Sequence, residues 1–478
     1  MPSDHTFTQH DLDKLVRRFG GPSNIQDIYP LTPMQRGLLF HSAYDESNTL
    51  YVTTICWNVS GPLNADHYQA AWTRVIERHD VLRTALTGLE LASPVQVLMR
   101  SAPLSFERLD WRDMDEGARR IRLARLEADE RRRGFDLEKP PLMRLTLVRL
   151  GDEEHRIVWT SHHAILDGWS MPILMQEVAD IYVALCRGEP VALSEPPSYK
   201  DYIAWLRTYD KAGAEAYWRA VMDDPPDSRL LADATEDGAG AGPGSGDRHT
   251  ERRHTFAIDV ETLKRVAREH RVTVNVLAMA AWSLVLRRLT GGTEVLFGVT
   301  ASGRSPTLES FERRIGLFVN TLPFRLPTPP DMTVSEWLAL ANSIQKDVIE
   351  HQYTPLTDIL SWRGEGADKT LFDSIYVFEN YPVQKDIDRL GDLVLRDFEG
   401  VDLPHYAINL LFICDDSLWV RCVYDSSRFS EASVVEILNG IEDALLWIAC
   451  GGSVVLGDYD VLGDGERGVV LDEWNRTE

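Results

Sequence analysis

Residues 161–170, Ser161-His162-His163-Ala164-Ile165-Leu166-Asp167-Gly168-Trp169-Ser170, gather several chemically competent side chains into one short stretch. An imidazole with an unperturbed pKa near 6.5 accepts a proton close to neutral pH, so a histidine here is a candidate general base. The glycine region can aim a backbone N–H at an oxyanion developing on a carbonyl under attack. A base and an oxyanion donor are two of the requirements of acyl transfer. A metal centre needs three or four ligands, and only Asp167 stands beside the histidine pair, so no metal is expected. A His-His pair also occurs as a structural feature, and Asp167 equally suits a cap on the next helix. On its own the stretch leaves both uses open.

The flanking elements favour a site at a sheet end. Arg156–Ser161 reads as an apolar strand and Ser170–Arg187 as a long amphipathic helix. A strand-to-helix turn presents its side chains there, and the helix start adds unpaired N–H groups. Asp11–Phe19 reads as a short helix, Thr32 and Pro33 as N-cap and first residue of another, and Tyr51–Ser60 as a strand. Helices are also expected at Ala65–Arg78, Tyr199–Met222, Val260–His270, after Thr273, at Val334–His351 and at Ser430–Ala449. Strands are expected at Leu142–Leu150, Arg253–Ile258, Val295–Thr300, Leu317–Pro323, Ser374–Glu379, Ile408–Ile413 and Trp419–Tyr424. The fold class is α/β, with mixed sheets in two lobes. The Gly-rich stretch 233–247 reads as a mobile surface loop. The boundaries are then 1–187 for a first lobe, 188–250 for a connector carrying that loop, and 251–478 for a second lobe.

Composition removes whole classes of function. The 478 residues carry 50 Lys+Arg against 74 Asp+Glu, a formal charge of −24. Neither a nucleic-acid face nor a polybasic membrane attachment fits that balance. The sequence holds no apolar run long enough to span a bilayer and no signal-peptide core. Its 5 cysteines are scattered, so a reducing, cytoplasmic setting is expected.

The motif HHAILDG resembles HHxxxDG, the signature of the condensation domains of nonribosomal peptide synthetases, a superfamily related in fold to chloramphenicol acetyltransferase. Tyr29–Ser42 (YPLTPMQRGLLFHS), Arg78–Leu86 (RHDVLRTAL), Ile315–Arg325 (IGLFVNTLPFR) and Phe372–Pro382 (FDSIYVFENYP) resemble further motifs in the same order. The resemblance implies a pseudo-dimer of two acyltransferase-like lobes in a V with a central tunnel. It implies condensation of a carrier-protein-bound aminoacyl or peptidyl thioester with an amine, or an alcohol, giving an amide or ester. His163 would be the base and the Gly168 N–H the oxyanion donor. His162 and Trp169 would support the loop. Asp167 would form a structural ion pair with Arg304, Arg83 being the second choice. Asn320, Ser374, Tyr376 and Arg83 become tunnel candidates. No cofactor is expected on the chain itself, the substrate being presented on the 4′-phosphopantetheine of a peptidyl carrier protein, which supplies the donor and possibly the acceptor. A small-molecule acceptor is the other option, and neither nucleic acid nor membrane is expected as a partner. The first motif resembles the branch that takes donors ending in a D-residue or works as a separate enzyme, and the chain is expected to be either an excised domain or a free-standing one. Two alternatives stay open: an epimerisation domain of the same superfamily, and a non-catalytic recruitment module.

Overall fold

The computed structural model describes residues 8–44, 50–91, 93–230, 249–363, 371–379, 389–401, 406–451 and 453–459. The Gly-rich stretch 233–247 lies outside the described residues, as does the chain end from 460. In chain order the helices are α1 (Gln9–Arg18), α2 (Pro33–Tyr44), α3 (Ala65–Arg78), α4 (Glu116–Arg132), α5 (Ser170–Arg187), α6 (Tyr199–Leu206), α7 (Lys211–Val221), α8 (Val260–His270), α9 (Val274–Thr290), α10 (Val334–Glu350), α11 (Leu356–Ser361) and α12 (Glu431–Cys450). The strands are β1 (Ile25–Pro30), β2 (Val52–Ser60), β3 (Thr84–Thr87), β4 (Val95–Met99), β5 (Ser105–Asp110), β6 (Met143–Arg149), β7 (Glu154–His162), β8 (His249–Thr255), β9 (Glu294–Ala301), β10 (Asn320–Pro327), β11 (Ser374–Glu379), β12 (Arg389–Leu390), β13 (Leu393–Val401), β14 (Ile408–Cys414) and β15 (Leu418–Asp425).

The chain forms two compact units that interleave along the sequence. The first comprises Met1–Asp210, Ser302–Asn320 and Tyr381–Pro404, and the second takes the remainder. This division departs from the boundaries 187/188 and 250/251, because two later segments return to the first unit. β13 is one of them: it pairs antiparallel with β2, Val394 opposite Ser60. Periodicity marks an element but not the sheet it will join.

In the first unit six strands run in the order β12-β13-β2-β7-β6-β5, beside a three-stranded sheet β1-β4-β3. β2 alternates between buried and part-buried residues as far as Cys56, where Trp57 is buried as well and the alternation resumes in the opposite phase, so the strand has buried side chains on both faces. β7 is buried at every position after Glu154, which suits a central strand covered on both faces. Around them Trp57, Trp72 and Trp159 are fully buried, and the rings of Trp72 and Trp159 approach to 5.2 Å. The register of β2 against β7 ends with Val52 opposite His162, so the histidine pair begins where the ladder stops.

The second unit carries another six-stranded sheet, β10-β9-β11-β14-β15-β8. Thr273 caps α9 through Val276 N at 3.3 Å, as its sequence position predicts, and α9 is buried from Val276 to Leu286. No single helix among the described residues is long and apolar enough to cross a membrane.

Two expectations are displaced. Tyr199–Met222 is two helices, not one, and Thr208 Oγ1 bonds the Trp205 carbonyl at 2.7 Å in the break. A threonine hydroxyl that binds a nearby carbonyl competes with helix continuation. The strand expected from Leu317 begins at Asn320. Leu317 O accepts the Tyr199 hydroxyl at 2.6 Å, and Phe318 N donates to Asp167 Oδ2 at 3.0 Å. Those backbone groups are bound before the ladder starts.

Candidate active site

The histidine loop leaves β7 through a short 3-10 turn, His163–Ile165, and enters α5 at Ser170. Main-chain hydrogen bonds fix its entry: His162 N donates to Leu142 O at 2.9 Å and His163 N to Tyr51 O at 2.8 Å. His162 is 2% exposed, with the rings of Tyr51 and Phe135 edge-on at 6.4 Å. Its Nδ1 accepts the Ala164 N–H at 3.1 Å, and Nε2 lies 3.5 Å from Ser42 Oγ. An Nδ1 that accepts a backbone proton carries none itself, so the neutral ring holds its proton on Nε2, facing Ser42.

Burial, reinforced by the neighbouring His163, lowers the His162 pKa to about 3. The unfolded chain takes up that proton near pH 6.5 and the folded chain does not. The stabilisation is therefore complete above about pH 6.5 and falls by roughly 1.4 kcal/mol per pH unit below it, reaching about 2 kcal/mol lost at pH 5. His162→Asn, which cannot titrate, is expected to melt further below the wild type at pH 7.5 than at pH 5. Equal gaps in Tm at the two pH values would refute the assignment.

His163 differs from its neighbour. It is half-buried, and its imidazole has no hydrogen-bond partner among the described residues. The Gly168 N–H is likewise without an acceptor among them. Among the described residues, then, an unpartnered imidazole and an unpartnered N–H stand on a loop whose Asp167 and Ser170 side chains are both hydrogen-bonded.

The far end of the loop is locked by a charged and hydrogen-bonded cluster. Asp167 Oδ1 accepts Ser170 N at 2.8 Å and pairs with Arg304 Nη2 at 3.1 Å. Their side chains are 0% and 5% exposed, so the pair is shielded from solvent. Arg304 Nη1 donates to the carbonyls of Phe311 and Arg314 at 2.8 and 2.9 Å, and its guanidinium lies 4.4 Å from the Phe318 ring centroid. Ser170 Oγ accepts Arg304 Nη2 and Gly316 N, both at 3.0 Å. Two glycines allow this close fit. A Cβ on Gly303, whose φ is +64°, would fall 1.7 Å from Phe318 O, and one on Gly316 would meet the Tyr199 ring at 2.3 Å.

The residues singled out in the sequence thus separate. His162, His163, Asp167, Gly168, Trp169 and Arg304 come together in the first unit, Arg304 through the returning segment Ser302–Asn320. Trp169 lines a cavity of about 520 Å³ with Ile173, Phe311 and Arg304. Asn320 is buried at the start of β10. Arg83 does not pair with Asp167: its guanidinium binds Asp80 at 3.0 Å, Gln26 at 2.9 Å and the Met99 carbonyl at 2.5 Å. Ser374 and Tyr376 lie on β11 of the second unit, where Tyr376 OH bonds Asn275 Oδ1 at 2.8 Å.

Sequence reasoning overlooked Gln35, Ser170 and Gly316. Gln35 was visible as part of Thr32-Pro33-Met34-Gln35, a capping-box pattern, and the box forms: Gln35 N donates to Thr32 Oγ1 at 3.2 Å and Thr32 N to Gln35 Oε1 at 3.0 Å. Ser170 and Gly316 carried no signal, because their bond spans 146 positions.

Comparison with known proteins identifies the family. The family model for the Condensation domain matches residues 25–471. A linear gramicidin synthase polypeptide of Brevibacillus parabrevis is 34% identical over 481 residues, covering 100% of this chain, which spans only 9% of that protein. Among solved structures, the condensation domain of the Monacolin K polyketide synthase MokA superposes with a TM-score of 0.75 at 19% identity, over 91% of this chain and 100% of that one. The first condensation domain of the calcium-dependent antibiotic synthetase, in complex with a substrate analogue, gives 0.72 at 18% identity over 92% of this chain and 100% of that one. With the motif HHAILDG placed on a sheet-end turn and the matched region running over nearly the whole length, the chain belongs to the condensation-domain family of nonribosomal peptide synthetases.

Proposed function

We propose that this chain transfers an acyl group from a carrier-protein thioester to a nucleophile, with His163 as the base. The observation that carries this is the contrast between the two histidines. His162 is buried and bound on Nδ1, whereas the His163 imidazole is half-buried and has no partner among the described residues. A base must have a free nitrogen within reach of the proton it removes.

The step follows from those groups. His163 takes a proton from the acceptor amine as its nitrogen attacks the thioester carbonyl carbon. The negative charge passes to the carbonyl oxygen, where the Gly168 N–H donates to it. The C–S bond then breaks, the carrier's thiol leaves with the proton held by His163, and the new C–N bond remains. An alcohol acceptor would give an ester by the same transfers. Asp167 and Arg304 take no proton in this scheme, and their cluster holds the end of the loop that bears Gly168. The carrier partner and its pantetheine arm enter here as substrate.

The test is intact-mass analysis of a carrier loaded with an aminoacyl thioester, incubated with the protein and a panel of amines and alcohols. A condensed product together with a deacylated carrier is expected. Carrier binding without acyl transfer to any acceptor would establish a recruitment module instead. Solvent deuterium entering the donor α-carbon with no acceptor present would establish epimerisation.

A further inference from the structure

We infer that Gln35 is a positioning residue for His163, an inference that rests on the function proposed above. Gln35 is 0% exposed, and its side-chain amide is fully used. Its oxygen completes the cap of α2 by accepting Thr32 N at 3.0 Å. Its Nε2 donates to Gln96 Oε1 at 3.0 Å and to the backbone carbonyl of Ala164 at 3.1 Å. Gln96 is itself buried and anchored through Nε2 to the Pro30 carbonyl at 3.0 Å.

Ala164 follows His163 directly and is held from both sides. Its N–H points to His162 Nδ1, and its carbonyl to Gln35. With His163 N bound to Tyr51 O, the backbone is fixed before and after the imidazole-bearing residue. The imidazole itself has no such tether among the described residues, so its direction follows from that backbone. Gln35 ties the turn to the start of α2, 129 residues earlier in the chain.

Capping alone does not explain a glutamine here. Glutamate completes a capping box equally well. Only an amide both accepts from Thr32 and donates to two buried oxygens, those of Ala164 and Gln96. A carboxylate would face both of them with no proton to offer, and methionine would fill the space while leaving them unpaired.

The experiment compares Gln35→Glu and Gln35→Met with His163→Ala and the double variant Gln35→Met/His163→Ala. Each is assayed with the loaded carrier well below its own Tm. Each Gln35 variant is expected to lose roughly 10- to 100-fold in kcat, the scale of a small misplacement of a reacting group, with KM for the loaded carrier near the wild-type value. The double variant is expected to be no slower than His163→Ala, because a residue acting only through His163 has nothing left to position. A wild-type kcat in folded Gln35→Met, or losses that multiply in the double variant, would overturn the assignment. Turnover surviving intact in His163→Ala would instead overturn the underlying function.

Discussion

Alanine at position 163 is expected to lower kcat for condensation by about 10²- to 10⁴-fold, the usual contribution of a positioned general base. The same change is expected to leave the fold nearly as stable as before. The His163 side chain is half-buried and holds no hydrogen bond among the described residues, so removing it strands no buried partner. His162→Ala should behave in the opposite way. It leaves the Ala164 N–H without its acceptor and opens a space beside Tyr51 and Phe135, so its first effect is on Tm. In the proposed reaction the proton is transferred only as the new bond forms, so the loss at His163 should fall on kcat and on kcat/KM alike, with KM nearly constant. Single-turnover rates with a loaded carrier and circular dichroism melts measure the two quantities separately. An unchanged rate in a folded His163→Ala would remove the histidine from the chemistry. A fall in Tm as large as that of His162→Ala would make it a structural residue.

How much of this was legible in the sequence depended on the range of the forces involved. α8 and β11 lie at the residues their periodicity indicates, and α9 begins where Thr273 caps it, because spacing and capping are local properties. The short strands β1, β3 and β4 carried no comparable signal and owe their state to pairing with one another. The later start of β10 was equally hidden. It depends on Tyr199 and Asp167, which capture Leu317 O and Phe318 N from distant parts of the chain. The histidine motif was legible as a motif. Which histidine is bound and which has no partner among the described residues was not, since that turns on Ser42, Tyr51, Phe135 and the local turn. Gln35 shows the same divide within one side chain: its oxygen caps a helix three residues away, and its nitrogen reaches a carbonyl 129 residues away.

Arg304→Met is expected to destabilise the protein by about 3–5 kcal/mol, the scale for removing one member of a buried ion pair. For a unit of this size that corresponds to a fall in Tm of roughly 6–20 °C. Methionine retains much of the apolar volume against Phe318, so lost packing accounts for little of the effect. The cost comes from what is left behind. Asp167 keeps its bonds from Ser170 N, Ser170 Oγ and Phe318 N, yet its carboxylate, 0% exposed, has lost its countercharge. The carbonyls of Phe311 and Arg314 lose a donor as well. If stranded charge is the main cost, making residue 167 neutral should relieve it. Arg304→Met/Asp167→Asn is then expected to melt higher than Arg304→Met by an amount worth at least about 1 kcal/mol, although it carries one substitution more. Losses that simply add would show that the carbonyl bonds of Arg304 matter and its charge does not. Arg304→Lys separates these further: it restores a cation but not a fork able to reach Asp167, Ser170 and two carbonyls at once, so it should recover less than the charge alone would suggest. Because the same cluster anchors the segment that ends in Gly168, any variant that frees Asp167 should also slow condensation at temperatures where the protein remains folded.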